Sequence, residues 1–173
     1  DGFLGVRVQE QLTCVMIVRT TEVVMRETRI AGCRARFAEG DLLWQADGIS
    51  IGESTSGVSI SDSTITDTWE GIDIVGGGSG VRNVAIDRAR IDNSFGYGVK
   101  GGYSLSNVSL TRSHVSNSGL AGVVLYGPVS GAVVSQTAID GVGLVRFGKE
   151  MVQPWKQERA GVLVEQGSSA QTN

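Results

Sequence analysis

Two apolar residues two positions apart, followed by a third five positions later, recur along this chain and limit what it can fold into. The pattern stands at Val23, Met25 and Ile30, at Val58, Ile60 and Ile65, and at Val84, Ile86 and Ile91. It returns at Val108, Leu110 and Val115, and in weaker form at Ala132, Val134 and Ile139. Successive starts lie 35, 26, 24 and 24 residues apart. Each unit is followed by a glycine and an alternating apolar step: Gly48-Ile49-Ser50-Ile51, Gly71-Ile72-Asp73-Ile74, Gly98-Val99-Lys100, Gly122-Val123-Val124-Leu125 and Gly161-Val162-Leu163-Val164. Gly5-Val6-Arg7-Val8 reads as a copy ahead of the first full unit. Period-two alternation marks strands with one buried face. Strands this short bury little by pairing within one unit, whereas stacked copies bury a continuous core. Three strands in about 24 residues make one coil of a parallel β-helix, with neighbouring coils ~4.8 Å apart. The expected fold is all-β, with about five to six coils between residues 5 and 164 of a single domain spanning 1–173.

Composition agrees. The 25 glycines and only two prolines in 173 residues suit many tight turns without a collagen period. Net charge is −3 and the 15 basic residues are scattered, so nucleic acid is not an expected partner. Val15–Val18 is far too short to span a membrane, and no apolar run approaches the ~18 residues a span needs. The chain starts at Asp1 rather than Met and carries no signal-peptide pattern, which reads as a processed product or a piece of something longer. Neither Asp1–Gly5 nor Gly167–Asn173 reads as a cap, so bare coil ends, further coils or a homo-oligomer are expected. Cys14 and Cys33 fit no metal spacing and read as two unpaired, mostly buried thiols rather than a disulfide.

Aligning the units gives further columns. Thr28, Ser63, Ala89, Ser113 and Thr137 share a position between the second and third strands, where small or hydroxyl side chains suit a tight corner. Asp67, Asn93 and Asn117 share the position two after the third apolar residue, as corner-stabilising Asx residues would. Alternation then assigns faces. Val58, Ile60, Ile65, Ile72, Val84, Ile86, Ile91, Val99, Val108, Leu110, Val115 and Val123 point inward. Ser59, Asp73, Ala85, Lys100, Ser109 and Val124 point outward, and burial of Asp73 and Lys100 would mean a register one residue off.

These units resemble the right-handed β-helix repeats of the pectin-lyase-like superfamily, over roughly Gly5 to Val164. The resemblance implies a right-handed solenoid and an extracellular or cell-surface location. Many proteins of this kind act on acidic polysaccharides, while others are phage tailspikes, adhesins or surface proteins, so fold alone leaves function open. Asp47-Gly48-Ile49 resembles one part of the polygalacturonase active site, where an Asp precedes such a glycine. The rest of that pattern departs: Glu70-Gly71 replaces an Asp pair, Gly96-Tyr97-Gly98 replaces Gly-His-Gly, and Val123-Val124-Leu125 replaces Arg-Ile-Lys. Nothing matches the Asp-Pro-His motif of alginate epimerases or a pectate-lyase calcium motif.

Two connections break the short period at one corner. Ala31 to Asp47 takes seventeen residues and Asp140 to Ala160 takes twenty-one, against five or six in the coils between. Long loops are disproportionately functional, and these would border a face about four coils, or ~19 Å, long. Trp44 and Trp155 in the loops, with Trp69 and Tyr97 in short connections between them, are the candidate substrate-stacking residues. On the floor, Asp73 and Lys100 occupy equivalent places in adjacent coils and make either a surface salt bridge or a charged bed for a polar ligand. Asp47 and Glu70, each just ahead of a column glycine, would stand ~5 Å apart. That spacing suits an acid/base pair or a bound divalent cation such as calcium, unless each faces solvent separately. The candidate catalytic set is therefore Asp47, Glu70, Asp73 and Lys100, for a polysaccharide lyase or glycoside hydrolase. The competing reading is a structural or adhesive solenoid without catalysis. His114, the only histidine, falls on another face and reads as an ordinary surface residue.

Overall fold

The structure is a computed structural model that describes residues 13–33, 46–143 and 160–164, and the backbone of 168–172. The first coil holds β1 (Val15–Ile17), β2 (Thr21–Arg26) and β3 (Arg29–Ala31). The second holds β4 (Ile49–Ile51), β5 (Thr55–Ser61) and β6 (Thr64–Thr68). The third holds β7 (Ile72–Val75), β8 (Val81–Asp87) and β9 (Arg90–Ser94), with one 3-10 turn at Gly77–Ser79. The fourth holds β10 (Val99–Gly102), β11 (Leu105–Thr111) and β12 (His114–Ser116), and the fifth β13 (Val123–Tyr126), β14 (Val129–Ser135) and β15 (Ala138–Asp140). A sixth begins with β16 (Val162–Val164) and β17 (Ser168–Thr172).

Every strand pairs in parallel with its copy in the next coil. Three sheets result, running β1-β4-β7-β10-β13-β16, β2-β5-β8-β11-β14-β17 and β3-β6-β9-β12-β15. The chain is thus a right-handed parallel β-helix. Its core is the set of apolar columns: all twelve residues assigned inward by alternation are buried, and most are aliphatic stacks such as Ile49, Ile72, Val99 and Val123.

Steric necessity explains the glycine that opens the first strand of the second to fifth coils. A Cβ on Gly71 would stand 2.4 Å from the Gly98 carbonyl oxygen and 2.4 Å from Ile91. At Gly98 it would meet Val115 at 2.2 Å, and at Gly122 it would meet Ile139 at 2.3 Å. The chain is turning into the next coil there, and no side chain fits between the layers. The other corners use left-handed backbone. Glu27, Asp62, Arg88, Arg112 and Gln136 have positive φ between the second and third strands, Asp67 and Asn93 have it within the third, and Asn117 just after it. The hydroxyl column completes the first of these corners, because Ser113 Oγ accepts from the Ala89 amide and Thr137 Oγ1 from that of Ser113.

Four expectations need correction. Cys14 and Cys33 form a disulfide, with Cα atoms 5.9 Å apart. The pairing gives Cys14 the place of the column glycine, since Val15 pairs with Ile49, and puts Cys33 level with Thr68. The opening strand of the first coil is therefore Val15–Ile17, which carries no glycine and escaped the pattern. Gly5–Val8 lies outside the described residues. The helix also continues past Val164, because β17 pairs with β14.

Last, Asp73 and Val124 are buried at 7% and 0% exposure instead of open. The register is nonetheless as expected, with Ile72 and Ile74 on the inside at 0% and Lys100 only partly covered. Alternation gives a side chain's direction and not what lies over it. Here a second layer, formed by Tyr97, Leu120, Ala121 and Val124, packs on the outer side of the sheet.

The glycine column predicts a paired outcome in chemical unfolding. Gly71→Ala should cost about 2 kcal/mol or more, because the methyl meets backbone and a core isoleucine. Gly78→Ala, with open space around its Cβ, should stay within about 0.5 kcal/mol of the parent.

Candidate functional site

The stacking that makes the core also gathers charge on the outer side of the first sheet. Asp47, Glu70, Tyr97 and Ala121 each precede a column glycine and so line up across successive coils. Ser50, Asp73, Lys100 and Val124 form the neighbouring outward column. Where the two columns meet, Asp47, Glu70 and Asp73 each place a carboxylate oxygen within 4.8 Å of the others. Lys100 Nζ lies 3.1 Å from Glu70 Oε2 and 3.4 Å from Asp73 Oδ1. The four residues picked from the sequence as the candidate catalytic set are thus one cluster. It is a covered cluster rather than an open floor, with Glu70 only 2% exposed.

Asp47 is held from its own coil and from the first. Ser50 Oγ donates to Asp47 Oδ2 at 2.9 Å, and Thr13 Oγ1 donates to the Asp47 carbonyl at 3.1 Å. The buried Oδ1 atoms of Asp47 and Asp73 accept no hydrogen bond within the protein, although the latter is ion-paired with Lys100. Burial, then the charge of Asp73, push the Asp47 carboxyl up to about 6. The same causes lift Glu70 well above the usual carboxylate range. Burial also raises Asp73, against the pull of Lys100. Burial alone would lower Lys100, but Glu70 and Asp73 outweigh it and hold the ammonium above its ordinary value.

Three carboxylates against one ammonium leave a formal charge of −2 in a poorly solvated place. Charge so placed is costly unless neutralised. Protons can do this, and so can a hard divalent cation. Oxygens on opposite sides of a calcium ion stand about 4.6–5.2 Å apart, the scale of this cluster. Asp47, Glu70 and Asp73 are the residues that would hold such an ion, and Asp47 Oδ1, which accepts no hydrogen bond, is an acceptor for it.

The aromatic candidates are placed less uniformly. Trp69 stacks on Phe95, ring centroids 4.6 Å apart, next to Glu70 in the chain. Tyr97 is 4% exposed and packs edge-on to Tyr126, its hydroxyl buried without a hydrogen bond, so its ring is interior rather than offered on the surface. Trp44 and Trp155 lie outside the described residues, as does most of both long connections. His114 faces outward on the third sheet beside Arg90 and bonds Asp140 at 2.7 Å, away from the cluster.

Thr13 and Phe95 were missed by sequence reasoning. Thr13 occupies the Asp47 column in the first coil, but Cys14 in the glycine's place hid that alignment. For Phe95, the signal was its place one residue after Ser94, level with Trp69 after Thr68.

Residues 47–172 match the profile of the family described as "Right handed beta helix region". No curated protein matches the chain.

The raised carboxyls set the sign of the pH dependence. Asp47 titrates at about 6 when folded and near 3.9 when unfolded. Its contribution is full below about pH 4 and is lost as pH rises through 6. In chelator, stability should therefore fall by on the order of 2–3 kcal/mol between pH 4 and 7 from this group. Asp47→Asn should flatten that fall in denaturant titrations. An unchanged slope would contradict the burial of this charge.

Proposed function

Because the chain belongs to the right-handed beta helix family, we propose that it binds an acidic polysaccharide along the outer side of the first sheet, with cleavage by the same cluster. The observation that carries this reading is the convergence of Asp47, Glu70, Asp73 and Lys100 from three successive coils, with the buried Asp47 Oδ1 left without a hydrogen bond. An extended sugar chain matches a site that runs across strands. A bound divalent cation would tie a substrate carboxylate to Asp47, Glu70 and Asp73 and remove the repulsion between like charges. Lys100 would fix the orientation of Glu70 and Asp73 and add the local positive charge. The stacked rings of Trp69 and Phe95, beside Glu70, supply the apolar surface that suits a sugar face. The disulfide supports an extracellular or cell-surface setting, where such bonds persist.

A structural or adhesive solenoid is the second reading, and one observation favours it. The three carboxylates are only 2–7% exposed and Lys100 already pairs with two of them, as an internal strut would.

The two readings part in titration calorimetry with a panel of uronate-containing polysaccharides, calcium present. Glu70→Gln, Asp73→Asn and Lys100→Ala should each weaken binding by about tenfold, or ~1.4 kcal/mol, and a chelator should act likewise on the parent. His114→Ala should change little. Reducing-end release and absorbance of unsaturated products on the same panel separate hydrolysis from elimination. No binding across the panel would leave the solenoid reading standing alone.

A further inference from the structure

We infer that the Cys14–Cys33 disulfide positions the carboxylate cluster, by fixing the coil against which Asp47 and Glu70 are hung. The inference starts from column equivalence. In the next three coils the glycine that opens the first strand lies beside the residue three after the third apolar position, so close that an added Cβ would crowd it. A Cβ on Gly48 would lie 3.1 Å from Thr68 Cγ2, on Gly71 3.2 Å from Ser94 Oγ, and on Gly98 3.1 Å from Ser118 Oγ. In the first coil the corresponding pair is Cys14 and Cys33, and the contact is covalent. The bridge thus stands where a bare glycine lies against a neighbouring side chain in the second to fifth coils.

Both half-cystines reach the site through their backbones. The Cys14 amide donates to the Asp47 carbonyl at 2.9 Å. The Cys33 carbonyl accepts from the Trp69 amide, immediately before Glu70, at 3.2 Å. That same Trp69 amide lies 2.9 Å from the Ala46 carbonyl, immediately before Asp47. Gly48 N–H in turn donates to the Glu70 carbonyl at 2.9 Å. The residues that carry the two carboxyls are therefore bracketed by one covalent closure. Thr13, next to Cys14, adds its hydroxyl contacts to the Asp47 carbonyl and to Ser50, which bonds the Asp47 carboxylate. Among the described residues, β1 is the end strand of its sheet and pairs only with β4.

Positioning itself does not depend on what the site binds; its consequence for a ligand rests on the polysaccharide reading above. Amide hydrogen exchange separates the two. Reduction of the folded chain with a dithiol breaks one S–S bond and leaves two thiols, the reagent taking up the disulfide. Exchange at the Gly48 and Trp69 amides should then quicken by at least about tenfold, while Val99 and Val123 keep their rates. Affinity for a polygalacturonate oligosaccharide should fall in parallel. Cys14→Ser/Cys33→Ser should behave as the reduced parent does. Cys14→Gly/Cys33→Thr, which copies the Gly48 and Thr68 pair of the next coil, should keep the protection of the oxidised parent and ignore the reductant.

Unchanged exchange at Gly48 and Trp69 on reduction would overturn the inference. So would a uniform rise that includes Val99 and Val123, because the bridge would then clamp the whole solenoid. Loss of protection in Cys14→Gly/Cys33→Thr would overturn the equivalence of the two kinds of contact. If polygalacturonate and the rest of the uronate panel fail to bind the oxidised parent, the functional reading falls, and the exchange measurements still decide the positioning.

Discussion

Everything in this structure depends on coils lying directly above one another at strand spacing. The limiting contact is at Gly48, Gly71, Gly98 and Gly122, where a Cβ would sit 2.2–2.6 Å from the aliphatic side chain that closes the same coil. With that position bare, the ladders of all three sheets stay in register and the isoleucine and valine columns close. The same register brings residues far apart in the chain within reach. Asp47 and Glu70 are in one cluster only because the second and third coils stack without slip.

The exterior is held by a different chemistry from the core. At the corner after the second strand, Asp62, Arg88, Asp87 and Arg112 form a chain of exposed ion pairs along the solenoid. The hydrogen bond from Arg112, above all, brings Asp87 down to about 2. Solvent-exposed pairs of this sort contribute little each, and they resemble the amide ladder of Asn83 and Asn107 in linking coil to coil. The first sheet is the exception. There the charged groups are covered, three acids share one lysine, and the carboxyls are pushed up instead of down. This contrast singles out that face.

The columns were legible because each coil repeats the same steric problem and the chain answers it with the same residue types. Inward residues, corner hydroxyls and left-handed Asx positions could all be read by alignment alone. The cluster of Asp47, Glu70, Asp73 and Lys100 was legible for the same reason, since position in a coil fixes which side chains become neighbours. Its burial was not. Val124 is covered by the second layer around Tyr97 and Leu120, and alternation does not tell which outward positions such a layer covers. The disulfide was hidden by a substitution within the column. With Cys14 in the glycine's place, the opening strand of the first coil lost its marker, and with it the partner of Cys33.

The central claim is that the outer side of the first sheet, over the second to fourth coils, is where this protein meets its ligand. Backbone chemical shifts during titration with a uronate oligosaccharide and calcium test it most directly. The account predicts that the perturbed amides cluster at Ser50, Glu70, Asp73 and Lys100. Shifts confined to Arg90, His114 and the rest of the third sheet would contradict it.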